Sequence, residues 1–299
     1  MINAKNISMY FDKYAALKNL SCTIPKGCIY GLIGSNGAGK STFLRLISGV
    51  YRPNEGEITI DGEKVFNNPT IKERIAFVPD DLYFLPGAGL NEMVDLYKSI
   101  YKNFNTQRFY NLASTFQLPA NRPIAGFSKG MKRQASTILA LSSMPDYLFF
   151  DETFDGLDPV MRNLVKQVIY NDISERNTTV IITSHSLREL EDTCDQLALL
   201  HLGGIVFESD IQDLKTAMFK IQIGFNEPFG KEKFNDINIV SYTQQGSVAC
   251  FIVRGDKAET ENTLRMMNPA ILDILPLNLE EVFIYEMETL GYSFKDIIM

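Results

Sequence analysis

Leu20, Cys22 and Ile24 place apolar side chains at every second position, and residues 2–9 and 17–24 read as two strands. The short apolar run Cys28–Ile33 predicts a buried strand. Phe43, Leu46, Ile47 and Val50 then fall on one face of a helix. Glu57–Ile60 followed by Asp61-Gly62 predicts a strand running into a hairpin. Ile75–Val78 is a further short strand, ending at Pro79-Asp80-Asp81. From about 85 to 145 the period lengthens to that of helices: Met93, Leu96, Tyr97 and Ile100 form one face, Phe109, Leu112, Ala113 and Phe116 another, and 133–142 continues the pattern. Strand signals return at 147–150 and 178–184, with a helix from 160 to about 175 between them, and 196–200 with 205–208 reads as a hairpin through Gly203-Gly204. After about 215 the character changes. Strand-like stretches at 219–225, 237–242, 247–253 and 271–277 accompany helices at 256–267 and 279–290, predicting a small α+β domain over 216–299.

Composition narrows the class. The chain has 299 residues, 45% of them hydrophobic, enough for a large core and too apolar for a disordered chain. A net charge of −7 disfavours non-specific nucleic-acid or acidic-membrane binding as the main task, so no nucleic-acid partner is expected. No apolar run approaches the roughly 18–20 residues that cross a bilayer, and the N-terminus lacks a basic-then-apolar signal segment. A membrane role would therefore run through a separate partner chain. Cys22, Cys28, Cys194 and Cys250 show neither CxxC pairs nor metal spacing and read as reduced core thiols of a cytosolic protein.

The candidate chemistry starts at Gly34-Ser35-Asn36-Gly37-Ala38-Gly39-Lys40-Ser41-Thr42, which fits G-x-x-x-x-G-K-[ST] between a strand and a helix. Glycines let the backbone curl so that N–H groups converge on phosphates, and the helix start adds partial positive charge there. Lys40 can reach the β- and γ-phosphates, and the Ser41 hydroxyl can ligate Mg2+. Tyr147–Phe150 is a buried strand with Asp151 and Glu152 at its end, where ligands bind in parallel α/β sheets. Asp151 suits a water-mediated Mg2+ site, and Glu152 suits orientation or deprotonation of an attacking water; a helix-capping acid is the plain alternative. His185 follows a strand directly and reads as a γ-phosphate contact, against the structural role usual for a lone histidine. Phe11 could stack on a nucleotide base or pack in the core. Ser128, just ahead of a helix, is either an ordinary cap or a second anion site.

In their order, Gly34–Thr42, Phe127–Met131, Leu148–Glu152, Gly156–Asp158 and His185 resemble the Walker A, signature, Walker B, D-loop and H-loop motifs of ATP-binding cassette (ABC) ATPases. The resemblance covers roughly residues 1–215, and the tail, ending in Leu279–Phe283, is similar to the C-terminal extension of the bacterial exporter branch. It implies an α/β P-loop fold with a mixed sheet core, an antiparallel β subdomain and a helical subdomain at about 85–145, over residues 1–215. The departures are specific. The signature reads Phe127-Ser128-Lys129-Gly130-Met131, keeping the serine and the second glycine, and Asp80 stands where the family has a glutamine. A carboxylate there can still bind Mg2+ and adds a charge.

The same resemblance implies ATP and Mg2+ as ligands, with Mg2+ held by Ser41, Asp80 and Asp151. It implies a second nucleotide-binding domain, identical or not, whose Ser128, Gly130 and Asp158 complete the cage around this chain's ATP. It further implies membrane-spanning permease subunits that hold the chain at the inner face of the cell membrane, with export as the expected direction of transport. The competing class is a soluble ABC ATPase with no transport role; the single Walker A and the exporter-like tail weigh against it.

Overall fold

The computed structural model describes residues 1–120, 122–154, 157–289 and 291–292. Gly156 of the D-loop turn and Leu290 of the last predicted helix lie outside them. The chain divides into two compact units, one Met1–Glu208 and the other beginning at Ser209.

The first unit opens with β1 (Ile2–Phe11) and β2 (Tyr14–Ile24), paired antiparallel. Both strands run further than their alternation predicts. Phe11 pairs with Tyr14 across a two-residue turn at Asp12-Lys13, so these aromatics are strand ends and not linker residues. Asp12 takes φ 52°, which an aspartate at such a turn tolerates. β3 (Ile29–Ile33) leads into helix α1 (Lys40–Ile47). β4 (Glu55–Ile60) and the short β5 (Glu63–Lys64) form the expected hairpin and complete a four-stranded sheet ordered β2-β1-β4-β5.

Helix α2 (Pro69–Lys72) precedes β6 (Ile75–Val78), and the helical segment follows as α3 (Leu90–Ile100), α4 (Thr106–Thr115) and α5 (Lys129–Ser142). α3 and α4 both pack on α5, and α5 reaches β6. Then come β7 (Tyr147–Asp151), α6 (Pro159–Arg176), β8 (Thr179–Ser184), α7 (Leu187–Glu191), β9 (Gln196–His201) and β10 (Gly204–Asp210). The six-stranded sheet is ordered β10-β9-β3-β8-β7-β6, and β9, β3, β8, β7 and β6 run parallel. β3, β7 and β8 are buried along their whole length, which is why they read as continuous apolar runs. The expected sheet core, antiparallel sheet and helical segment are thus all present.

Phe43, Leu46 and Ile47 of α1 are fully buried against residues of β1–β4, β7 and β8. Burying each contributes about 1.5–3 kcal/mol over leaving it in water. Val50 does not join them. The helix has ended, Gly49 takes φ 69°, and Val50 is turned outward. Ile100 is likewise exposed, because the buried face of α3 is Leu90, Met93 and Val94, in its first turns. Arg108 of α4 pairs at 2.6 Å with the buried Asp172 of α6, tying the helical segment to the core helix.

The second unit contains α8 (Ile211–Ala217), β11 (Met218–Gly224), β12 (Ile239–Gln245), β13 (Val248–Arg254), α9 (Lys257–Met266), β14 (Ile271–Leu275) and α10 (Leu279–Thr289). Its strands form an antiparallel sheet ordered β12-β13-β11-β14. Phe219, Ile221, Ile223, Phe234, Phe251 and Leu264 form its core. A boundary after residue 215 falls inside α8, which packs on β11 and α10. No helix among the described residues is long and apolar enough to cross a membrane.

Candidate functional site

The loop Gly34–Gly39 leaves the carboxyl end of β3 in the middle of the parallel sheet. Its glycines answer to space and conformation. A Cβ on Gly34 would lie 2.4 Å from the Leu200 carbonyl oxygen. Gly39, at φ 112°, would bring one to 2.7 Å from that of Ala16. Gly39 also caps α1 and has no side chain to satisfy the first helical amides, which are left for an outside acceptor.

Lys40 is 5% exposed, yet its ammonium is well occupied. Nζ donates to the carbonyls of Gly34 at 2.7 Å and Ser35 at 3.2 Å, and stands 3.3 Å from Glu152 Oε1. The loop thus wraps its own cation and turns it toward the acid at the end of β7. Tyr14 adds a tether from the β1–β2 turn: its hydroxyl donates to the Gly37 carbonyl at 3.0 Å.

The two acids after β7 share one organiser, Thr183 on the neighbouring strand β8. Its hydroxyl donates to Asp151 Oδ1 at 2.8 Å and accepts the Glu152 amide at 3.0 Å. Asp151 is 1% exposed, and among the described residues no cation pairs with it. A buried carboxylate in that condition favours a cation nearby. Glu152 takes φ 49°, a left-handed backbone that costs a non-glycine residue of order 1–3 kcal/mol. Its Oε2 lies 3.5 Å from His185 Nδ1. The turn carrying His185 is fixed by Ser184, whose hydroxyl donates to Glu189 at 2.7 Å and accepts the Ser186 amide at 3.0 Å.

A cleft of ≈ 500 Å³ is lined by Phe11, Tyr14, Ala16, Asn36, Gly37, Gly39, Lys40, Ser41, Thr42, Asp80 and Glu152. Phe11 presents a partly exposed ring set edge-on to Tyr51, with centroids 5.7 Å apart. Ser41, Asp80 and Asp151 offer hard oxygen donors of the kind Mg2+ takes alongside phosphate oxygens. Among the described residues no three His, Cys, Asp or Glu side chains converge as a closed metal cage. Asp80 is engaged from behind, by Arg133 Nη2 at 2.8 Å.

Ser128 and Gly130 do not line this cleft; they begin α5, where the Ser128 hydroxyl caps the helix by accepting the Met131 amide at 3.2 Å. Asp158 is also outside it and caps α6, accepting the amides of Val160 and Met161 at 3.0 Å each. Sequence reasoning missed Tyr14, Ala16, Thr183 and Arg133. Of these only Tyr14 carried a local signal, as an aromatic beside Phe11.

This arrangement is that of a P-loop ATPase: a strand–loop–helix cradle with an acid from a second strand opposite its lysine. A family model described as ABC transporter matches residues 17–155. The chain is 32% identical over 284 residues to the ABC transporter ATP-binding protein YtrB of Bacillus subtilis, covering 95% of this chain and 97% of that protein. It is 31% identical to the linearmycin resistance ATP-binding protein LnrL of the same organism, over 69% of this chain and 68% of that one. A solved ATP-binding subunit of an ABC transporter superposes with a TM-score of 0.67 at 26% identity, over 72% of this chain and 92% of that one. The chain belongs to the ABC transporter ATP-binding proteins and is an ABC-type ATPase.

Proposed function

We propose that the chain couples ATP hydrolysis to export through separately encoded membrane-spanning subunits, which hold it at the inner face of the cell membrane. One observation carries the nucleotide half of this reading: Lys40, Ser41, Asp80 and Glu152 line a single cleft with Asn36, Gly37, Gly39 and Thr42. In this reading the amides and hydroxyls of residues 35–42 cradle the phosphates, and Lys40 meets the β- and γ-phosphates. Phe11 offers a ring face to the base. Ser41, Asp80 and Asp151 hold Mg2+, which when bound offsets phosphate charge and aligns the terminal group. Glu152 accepts the proton of the attacking water, and His185, beside it, holds the γ-phosphate in line.

Ser128, Gly130 and Asp158 stand outside the cleft of their own chain, which supports their service to the nucleotide of a second cassette, identical or not. One loop offsets only part of the triphosphate's charge, and a second helix start adds amides and partial positive charge. Closure excludes water around Glu152; hydrolysis and release of phosphate let the pair open. The linearmycin resistance relative and the tail of exporter type support the outward direction.

The test is purification of the tagged chain from detergent-solubilised membranes of its own cell. Recovery of a membrane-spanning chain in stoichiometric amount, with ATPase activity that changes on its removal, is the expected result. Recovery of an active ATPase with no membrane chain would favour the soluble, non-transport class.

A further inference from the structure

Arg133 heads the fully buried side chains of the described residues in size, at 1% exposure. It lies on α5, five residues after the Ser128 cap. A guanidinium so placed needs a counter-charge, since it cannot be deprotonated. That counter-charge is Asp80, with Arg133 Nη2 donating to Oδ1 at 2.8 Å. Arg133 Nη1 is buried without a hydrogen-bond partner, so the ion pair is the main satisfaction of this side chain.

Asp80 is the opposite kind of residue. It follows β6, is 57% exposed and lines the nucleotide cleft with Lys40 and Glu152. Only Oδ1 is engaged; among the described residues no partner holds Oδ2. An exposed carboxylate on a loop has rotamer freedom that a charge-assisted hydrogen bond from a buried guanidinium restricts.

We infer that Arg133 is the positioning residue for Asp80, fixing one carboxylate oxygen from inside the helical segment so that the other is presented to the divalent cation of the bound nucleotide. The inference rests on the reading of Asp80 as a metal-facing carboxylate. Arg133 also offsets the charge that a carboxylate adds at this place, so the cleft gains an oriented ligand without a net negative charge. Outer partners of metal-binding carboxylates are commonly worth 10–100-fold in metal affinity. Because Arg133 and Ser128 share α5, the helix that caps with Ser128 is tied by the same bond to the edge of the cleft.

The experiment measures ATP binding at equilibrium against free Mg2+, with the full chain in a Glu152→Gln background so that no turnover intrudes. Asp80→Asn and Arg133→Met are each expected to raise the Mg2+ concentration at half-maximal binding about tenfold. The double variant is expected to shift it no further than the larger single effect, and binding without Mg2+ is expected to stay unchanged. A shift with Asp80→Asn but none, or a lowered Mg2+ midpoint, with Arg133→Met overturns the role of Arg133 alone. No shift with either overturns the metal-facing reading of Asp80 as well. Arg133→Lys is made alongside, because emptying a fully buried site can prevent folding. It keeps the charge but, being shorter and without the planar guanidinium, loses the directed bond to Oδ1, and a shift of about threefold or more supports the inference while a parental midpoint overturns it.

Discussion

Lys40 Nζ and Glu152 Oε1 stand 3.3 Å apart, so the lysine of the phosphate loop and the acid at the end of β7 are each other's counter-charge. A triphosphate entering the cleft would draw Lys40 to itself and release Glu152. Substituting the acid by its amide removes the base while leaving the shape. Glu152→Gln is expected to bind ATP at least as tightly as the parent and to hydrolyse it about 100-fold or more slowly. Equilibrium binding and single-turnover phosphate release check this; parental turnover would remove Glu152 from the chemistry.

Thr183 serves both acids through one hydroxyl. Thr183→Val keeps the volume and loses the donor to Asp151 and the acceptor of the Glu152 amide. Leaving these groups unsatisfied is expected to cost about 1–3 kcal/mol of stability in denaturant unfolding. The hydrolysis rate is expected to fall about tenfold, since Glu152 keeps its identity but loses its anchor. A stable variant with parental kcat would show that strand pairing alone holds the acids.

The Tyr14 tether has a narrower consequence. Tyr14→Phe keeps the ring beside Phe11 and loses the bond to the Gly37 carbonyl. Exposed hydrogen bonds of this kind contribute about 0.5–1.5 kcal/mol, so KM for ATP is expected to rise roughly 2–10-fold with kcat unchanged. An effect on kcat of equal size would mean that the tether also sets the position of Lys40.

Away from the cleft, Asp61 predicts how stability responds to acid. Burial by itself would raise its pKa. Hydrogen bonds from the N-terminal amine, Lys26, Arg74 and Tyr147 outweigh that and hold the carboxyl well below the usual carboxylate range. A depressed folded pKa means that the folded state keeps Asp61 charged where the unfolded chain, with a pKa of about 4, already takes up a proton. This contribution is therefore complete above about pH 5 and is lost progressively as pH falls toward the folded value. Asp61→Asn is expected to lower stability at pH 7 and to flatten its fall between about pH 5 and pH 3. Denaturant midpoints across that range decide it, and parallel curves for parent and variant would sink the assignment.

The phosphate loop was legible because its chemistry needs contiguous residues: glycines, a lysine and a hydroxyl in one turn between a strand and a helix. The acids were legible because two carboxylates at the end of a wholly apolar strand have few structural uses. What stayed hidden are the side chains that hold these groups from a distance. Tyr14 is 23 residues from Gly37, Thr183 is 32 from Asp151, and Arg133 is 53 from Asp80. No periodicity links such positions; the sheet order and the packing of α5 bring them together. Val50 and Ile100 were misread for a related reason. A helical pattern gives the face but not the residue at which the helix, or its contact with the core, ends.

The order of the parallel sheet carries a last consequence. β8 lies between β3 and β7, with Ser184 beside Ile33 and Thr183 beside Asp151. The loop and the acid are therefore two rungs apart, roughly 9–10 Å of backbone at the usual strand spacing. Main-chain pairing works here as a gauge block: it sets the gap that Lys40 and Glu152 span, whatever happens on the outer faces of the molecule. Surface sequence can drift to suit new partners while the working distance stays calibrated.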